Sequence, residues 1–257
     1  MPTLYPYAAT LAAYLVGSLS FAILISRAFG LSDPRTYGSG NPGATNVLRS
    51  GHKAAAALTL LFDALKGYVP VALVQMFGAP HGLGEGTAAA VALAAFLGHL
   101  WPVFFRFQGG KGVATAAGAI FGLNPLLGLA TLATWVVIAA FFRYSSLAAI
   151  VSAVFAPFYQ LLIWGGGEAA GAVTLMGLLL VWRHAPNIQK LLKGTESKLG
   201  HAKPAVPVAP AHGHGRGQGQ GQGHGHGHAK HASQASHDHP PPHPHAPKHG
   251  HKKEAKR

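Results

Sequence analysis

The sequence predicts an all-α polytopic integral membrane protein with seven transmembrane helices, some of them short, followed by a disordered C-terminal tail. Residues 1–200 alternate long apolar runs with short polar or basic connectors, and only 17 of them are Asp, Glu, Lys or Arg. Soluble domains carry about 25% charged residues, so this portion is too apolar to be one. The composition changes near residue 200, which predicts a membrane domain over 1–200 and a separate tail over 201–257.

The apolar runs near residues 4–26, 54–77 and 86–105 each reach the length of a transmembrane helix, since about 20 helical residues cross about 30 Å of hydrocarbon. We interpret the first run as a retained span, because no basic segment precedes it and it is longer than the core of a signal peptide. The run 112–142 is either one long helix or two short helices broken at Asn124-Pro125.

The distribution of Lys and Arg predicts the topology. The connectors 27–53, 106–111 and 183–198 are basic, whereas the alternate connectors contain only Glu85 and Glu168 as charged residues. The positive-inside rule then makes the basic side cytoplasmic. A single helix across the ambiguous run would send the basic C-terminal part outside, so two helices are favoured. This gives an outer N-terminus and a cytoplasmic C-terminus, with one helix too short to cross an unthinned membrane.

The absence of cysteine excludes several kinds of site, and the composition of the tail predicts disorder. The chain has no cysteine, which rules out disulfides, thiolate catalysis and cysteine metal sites. The tail holds 13 of the 17 histidines, has low complexity and carries a net charge of +6, so we expect it to be disordered and to lie near anionic headgroups. Histidines such as His224, His226 and His228 are expected to bind metal ions only incidentally.

A glycine-rich loop with a lysine predicts a phosphate site at the membrane face. An apolar run ends at Gly109-Gly110-Lys111-Gly112, and another begins at once. Glycines let backbone N–H groups converge on an anion, the following helix directs its positive end there, and Lys111 adds a full charge. The loop is not a Walker A motif, because Phe105 replaces its first glycine and Gly112 its Ser/Thr.

A second polar loop, residues 38–49, lies on the same side of the membrane. Its match to Gly-x-Gly-x-x-Gly does not indicate a dinucleotide site, because a membrane span precedes it and Pro42 interrupts it. Hydroxyl and amide side chains and one guanidinium remain as candidate phosphate ligands. These candidates are Ser39, Asn41, Thr45, Asn46 and Arg49.

Three further polar groups carry candidate functions. Ser146 is the last residue of Arg143-Tyr144-Ser145-Ser146, a short polar join between two apolar runs. His184 and Asn187 are three residues apart and share a face if the helix continues through the intervening proline. Asp63 and Lys66 occupy one helical face inside an apolar run, either as a structural ion pair or with Lys66 reaching a phosphate.

These motifs resemble the PlsY family, the bacterial acyl-phosphate:glycerol-3-phosphate acyltransferases. The resemblance covers about residues 1–200 and rests on three stretches: 38–49, 98–115, and His184-x-x-Asn187-Ile188 with Gly194-x-Glu196. The chain departs from the family pattern at Ala185-Pro186 and in the tail.

The resemblance implies an enzyme of the bacterial cytoplasmic (inner) membrane that acts in phospholipid synthesis. It would transfer a fatty acyl group from acyl phosphate to the sn-1 hydroxyl of glycerol 3-phosphate, yielding lysophosphatidate and phosphate. Its partners would be these substrates and membrane lipid, with no nucleic acid, cofactor or metal. A transporter of organic phosphates is the alternative, although such proteins usually show internal repeats and a midplane site.

The resemblance also implies residue roles. Gly109 to Gly112 would hold the acyl phosphate, and the polar loop with Lys66 would hold glycerol 3-phosphate. Ser146, His184 and Asn187 would orient the attacking hydroxyl. Either His184 or the phosphate of the substrate would take the proton.

Overall fold

The computed structural model describes residues 4–200, and all regular secondary structure in that range is helical. The predicted tail, with His224, His226 and His228, lies outside the described residues. The helices are α1 (Tyr5–Gly17), α2 (Phe21–Ala28), α3 (Ala44–Leu48), α4 (Lys53–Phe77), α5 (Glu85–Leu100), α6 (Val113–Leu123), α7 (Pro125–Phe142), α8 (Ser145–Tyr159), α9 (Glu168–Arg183) and α10 (Ala185–Leu192).

Within residues 4–200, four helical segments are long and apolar enough to cross a membrane: Lys53–Phe77, Glu85–Phe105, Pro125–Phe142 and Ser145–Trp164. The pair α1 and α2, bent by 44°, makes a fifth if it is one broken span. With 11 residues in α6 and 16 in α9, both are shorter than a full crossing requires. The predicted multi-pass helical membrane protein is therefore confirmed, while the count of seven spans stays a prediction.

The first apolar run was predicted as one helix but is broken between α1 and α2. Ser18 Oγ donates to Tyr14 O at 2.9 Å and accepts the N–H of Val103 at 3.3 Å, which ties the break to the end of α5. The carbonyl of Leu19 leaves the helical pattern and accepts a hydrogen bond of 2.6 Å from Lys66 Nζ. A buried lysine on α4 thus gives the interruption a polar partner.

The predicted break at Asn124-Pro125 is confirmed. The Asn124 side chain accepts the N–H groups of Leu126 at 3.0 Å and Leu127 at 3.2 Å and so caps α7. Pro125 occupies the first helical position, where no backbone donor is needed. The two helices pack against each other, since a Cβ on Gly128 of α7 would overlap the Phe121 ring of α6.

Small residues allow the helices to approach closely, as is usual for helix packing in membranes. A Cβ added to Gly17 or Gly98 would overlap backbone atoms across the α1–α5 contact. A Cβ on Gly67 or Gly118 would do the same across the α4–α6 contact. These two contacts fix α5 against α1 and α6 against α4, and the predicted phosphate loop connects α5 to α6.

The basic connectors meet at one end of the bundle. Residues 39–53, 111–112, 145–146 and 184–200 all contribute to the wall of one cavity there. At the other end α5 and α9 begin side by side, since a Cβ on Gly86 would lie 3.6 Å from Glu168 Cγ. The one-sided arrangement inferred from charge is thus present in the fold.

Candidate active site

A single cavity of about 510 Å³ joins the polar end of the bundle to its apolar interior. Ten of the thirteen predicted site residues line it. These are Ser39, Asn41, Thr45, Asn46, Arg49, Lys111, Gly112, Ser146, His184 and Asn187. Gly109, Gly110 and Lys66 are not on its wall. Lys53 also lines the cavity, although sequence reasoning assigned it no role.

Asn46 organises the polar loop 38–49. It is buried, its Nδ2 donates to Pro34 O at 2.6 Å and to Tyr37 O at 3.2 Å, and its Oδ1 accepts the N–H of Ser39 at 3.0 Å. Gly38 has a positive φ of 60° beside this side chain, a conformation that favours glycine. The Asn46 amide, predicted to bind substrate, is therefore engaged in holding the loop.

Arg49 keeps its charge available to a ligand. It lines the cavity, and no carboxylate in residues 4–200 forms an ion pair with it. Val47 anchors the short helix α3 in an apolar cluster with residues of α2 and α4, which fixes the backbone next to Arg49. The loop thus places a guanidinium on a fixed backbone at the wall of the cavity.

Gly109 and Gly110 lie behind the cavity wall rather than on it. The N–H of Gly110 donates to His99 O at 3.2 Å, so it does not point to a ligand as predicted. The Arg183 guanidinium donates to Gly109 O at 3.0 Å and to Gly110 O at 2.9 Å. The surface presented to the cavity begins one residue later, with Lys111, Gly112 and the first turn of α6.

A hydrogen-bonded chain connects the predicted residues that lie farthest apart in sequence. Lys111 Nζ donates to Asn187 Oδ1. Asn187 Nδ2 and Ser146 Oγ both donate to Glu196 Oε1, each at 2.8 Å. Glu196 therefore gathers the polar side chains of α8 and α10.

Sequence reasoning placed Glu196 in the third motif but gave it no role. The available signal was charge, because Glu196 is the one acidic residue in the basic stretch 183–198. The segment that carries it folds back over the α7–α8 turn, where the N–H of Leu199 donates to Arg143 O at 2.6 Å. Arg143 thus anchors this segment and does not line the cavity.

Burial changes the protonation of two site residues. Desolvation lowers the pKa of Lys111 to about 8; Glu196 opposes this, while Lys190, Arg49 and Arg183 reinforce it. Desolvation, reinforced by the charge of Lys111, lowers the pKa of His184 to about 4. At neutral pH Lys111 is mostly charged and His184 is neutral.

The tautomer of His184 follows from its partner. His184 Nδ1 lies 2.8 Å from Leu180 O, and because a carbonyl only accepts, Nδ1 carries the hydrogen. The other ring nitrogen, Nε2, is then an unprotonated acceptor in the neutral ring. Asn187 lies in the first turn of α10, and its N–H donates to His184 O at 2.8 Å. Both residues line the same cavity, although His184 stands at the boundary between α9 and α10.

Lys66 forms the structural ion pair rather than reaching a phosphate. Its Nζ lies 2.8 Å from Asp63 Oδ1 and 2.6 Å from Leu19 O, and its side chain is 2% exposed. Asp63 borders the cavity, but the lysine head points away to the α1–α2 break. Of the two interpretations of this pair, the geometry matches the first.

The sequence model of the family described as glycerol-3-phosphate acyltransferase matches residues 7–194. A glycerol-3-phosphate acyltransferase of Ralstonia pickettii is 65% identical over 195 residues, covering 76% of this chain and 94% of the relative. A glycerol-3-phosphate acyltransferase of Albidiferax ferrireducens is 59% identical over 207 residues, covering 78% of this chain and 92% of the relative.

Two crystal structures of PlsY (YgiH), an integral membrane glycerol 3-phosphate acyltransferase, share this fold. Its glycerol 3-phosphate form has a TM-score of 0.71 and 37% identity, covering 76% of this chain and 96% of that one. Its lysophosphatidic acid form has a TM-score of 0.69 and 36% identity, covering 76% and 95%. These matches do not support a transporter. With the motif residues gathered on one cavity, they show that the chain belongs to the glycerol-3-phosphate acyltransferase family, as a multi-pass membrane protein of the PlsY type.

Proposed function

We propose that the protein transfers a fatty acyl group from acyl phosphate to the sn-1 hydroxyl of glycerol 3-phosphate, giving lysophosphatidate and inorganic phosphate. One observation carries the proposal: a single cavity has a cationic polar mouth and an apolar inner part. An acyl phosphate has the same two-part chemistry. The inner wall comes from α6 to α9 and includes Ile120, Leu132, Trp135, Ala153, Val173 and Met176.

The phosphate of the acyl donor would bind at the start of α6. Lys111 supplies the charge, while Gly112 and Val113 bring the positive end of the helix dipole to the same point of the cavity wall. Gly109 and Gly110 would support this site from behind, with their carbonyls held by Arg183. The acyl chain would then extend along the apolar wall.

Glycerol 3-phosphate would bind between the polar loop and α4. Arg49 and Lys53 both line this part of the cavity, so two cations face a second phosphate. Ser39 and Asn41 add hydrogen-bonding groups, and Thr45 lies at the exposed rim, with its Oγ1 3.4 Å from Ser145 Oγ. Asn46 keeps the loop in shape.

In the reaction, the sn-1 hydroxyl oxygen would attack the acyl carbon. The bond from that carbon to the phosphate oxygen breaks, and phosphate leaves with the electron pair. Lys111 stabilises the charge that develops on the leaving group. His184 Nε2, with Ser146 and Asn187, orients the hydroxyl, since a ring with a pKa of about 4 is a weak base. The departing phosphate is the stronger base and takes the proton.

We also infer that the site faces the cytoplasm and that the protein resides in the bacterial inner membrane with its N-terminus outside. The support is the charge asymmetry of the connectors. Because the chain lacks cysteine, single-cysteine variants report sidedness directly. Gln189→Cys should be blocked by an impermeant maleimide only after lysis of spheroplasts, and Gly166→Cys before it. The reverse pattern would invert the topology.

The activity itself is tested with purified protein in liposomes. Acyl phosphate and glycerol 3-phosphate together should yield lysophosphatidate, measured by mass spectrometry, with one phosphate released per acyl group transferred. Neither substrate alone should do so, and Lys111→Met should remove turnover, while Gly84→Ala, at a position with open space around it, should not. Robust turnover with acyl-CoA in place of acyl phosphate would refute the donor assignment.

A further inference from the structure

The short helix α10 has the composition of a helix that lies in a membrane surface. Its apolar side chains share one face, and its long polar side chains occupy the opposite face. The apolar residues are Ile188, Leu191 and Leu192, and the polar ones are Gln189, Lys190 and, at the C-cap, Lys193. Amphipathic helices with lysine on the polar face and leucine on the other are typical of segments that bind at the lipid–water interface.

The protein covers the apolar face of α10 only in part. The helix packs against α8 and α9, where Ile188 and Leu191 are half-buried, but Leu192 is 84% exposed. Trp182, in the last turn of α9, is also exposed. Because tryptophan is enriched at the membrane–water interface, this end of α9 marks the level of the lipid headgroups. Since α10 begins directly after α9, it lies at that level.

The lysines of α10 favour lipids of negative charge. Lys190 and Lys193 are exposed, and no carboxylate in residues 4–200 forms an ion pair with either of them. Glu196 is the one acidic residue of the stretch 183–200, and its Oε1 already accepts hydrogen bonds from two side chains of the cavity wall. Two free cations beside an exposed leucine therefore complement an anionic headgroup above its acyl chain.

The end of α10 connects this surface to the cavity. Gly194, with a φ of 67°, follows the C-cap, and the N–H of Thr195 donates to Lys190 O at 2.8 Å. This is the bond of a Schellman motif, and it reverses the chain. Glu196 is thereby returned to the first turn of the same helix, where its Oε1 accepts Asn187 Nδ2 at 2.8 Å. The position of α10 thus determines the position of this pair on the cavity wall.

We propose that α10 docks on anionic phospholipid headgroups and that this docking holds Asn187 and Glu196 in their working positions. The inference rests on the proposed function, because acyl transfer is its kinetic readout. Lys190 and Lys193 contact the headgroups, and Leu192 enters the acyl region beneath them. On a surface without net charge only the narrow apolar stripe holds α10, so the pair on the cavity wall is held less well.

The kinetic test compares full-length protein in phosphatidylcholine liposomes with and without phosphatidylglycerol. The readout is kcat, because an anionic surface repels both anionic substrates and raises their apparent KM. The test variant combines Lys190→Gln with Lys193→Gln. The matched control combines Arg27→Gln with Arg106→Gln, which removes two exposed cations from other elements and leaves the same net charge. The tail is common to all these proteins.

Each lysine near an anionic surface strengthens binding about fivefold, so phosphatidylglycerol should raise the wild-type kcat by at least that factor. The double lysine variant should lose most of this rise, and the arginine control should keep it. Salt at about 1 M, where the Debye length is about 3 Å, should remove the rise in the wild type. An equal kcat in the two kinds of liposome, or an equal loss in the arginine control, would overturn the inference.

A second measurement reports docking without acyl transfer. Because the chain has no cysteine, Leu192→Cys carries a single environment-sensitive fluorophore. Phosphatidylglycerol should shift its emission to the blue and increase its quenching by nitroxide lipids, and adding Lys190→Gln with Lys193→Gln should reverse both changes. An emission that does not respond to phosphatidylglycerol shows that α10 does not dock, and the inference is then wrong. A fluorophore that docks on protein making no lysophosphatidate in any liposome supports the docking and refutes the proposed function.

Discussion

The depressed pKa of Lys111 makes the activity sensitive to pH on the alkaline side. The cause is mainly burial, which disfavours the ammonium, so the charge is present below the pKa of about 8 and is lost above it. The donor phosphate needs that charge. We therefore predict that kcat/KM for acyl phosphate falls as the pH rises above about 8.

The size of the effect follows from the titration. With a pKa of about 8, roughly nine tenths of the molecules carry the charge at pH 7 and roughly one tenth at pH 9. This predicts an approximately tenfold fall in kcat/KM over that interval. A bound phosphate raises the pKa of Lys111, so the decline in kcat should begin at higher pH than the decline in kcat/KM.

The assay is the initial rate of lysophosphatidate formation between pH 6 and 10, corrected for alkaline hydrolysis of the donor. Both substrate phosphates have lost their second proton well below pH 8, since that pKa is about 6. Lys111→Arg keeps its charge throughout the range, so whatever activity it retains should show no alkaline decline near pH 8. A Lys111→Arg variant with the wild-type alkaline decline would assign the decline to another group and refute the reasoning.

Three further predictions follow from the same site. Gly110→Ala should lose turnover, because its Cβ would overlap His99 Nε2 and lie 2.9 Å from Pro42 O, whereas Gly84→Ala should not; near-normal activity would remove the loop from the site. His184→Ala and Asn187→Ala should lower kcat more than they raise either KM, since both orient the hydroxyl in the transition state; a mainly raised KM would make them phosphate ligands. Truncation after Gly200 should leave acyl transfer in matched liposomes nearly unchanged and should abolish retention of nickel or zinc. Strict zinc dependence of acyl transfer by the full-length protein would contradict the prediction that the tail is not needed for activity.

The architecture was predictable where it depends on local sequence. Hydropathy and charge gave the helical membrane class and the single basic end, and Asn124-Pro125 marked a helix boundary through its own capping chemistry. The break after Gly17 was not predictable in this way. It depends on a lysine 47 residues away in sequence that donates to Leu19 O. A hydropathy profile averages neighbouring residues, so it cannot show a hydrogen bond between residues as distant in sequence as Leu19 and Lys66.

The location of the site was predictable from its motifs, and the roles inside it were only partly so. Phosphate ligands need glycine, hydroxyl, amide and cationic groups, and these were concentrated in three stretches on one side of the membrane. Lys53 and Glu196 were given no role, because neither residue by itself forms a recognisable phosphate-binding pattern, although Glu196 stands in the third motif. Their relevance arises from tertiary contacts, such as the bond from Ser146 Oγ to Glu196 Oε1 across 50 residues.

Asn46 and Gly110 explain why a motif can identify a site without identifying its ligands. Both stand in stretches that resemble phosphate-binding loops, and both have their hydrogen-bonding groups engaged by the protein: Asn46 by its own loop and Gly110 by His99. A loop that must present Arg49 or Lys111 to an anion needs such internal bonds, because an unsupported polar loop at a membrane face has no regular secondary structure to fix it. The same residue types therefore serve the scaffold and the substrate, and only the three-dimensional partners of each atom separate the two roles.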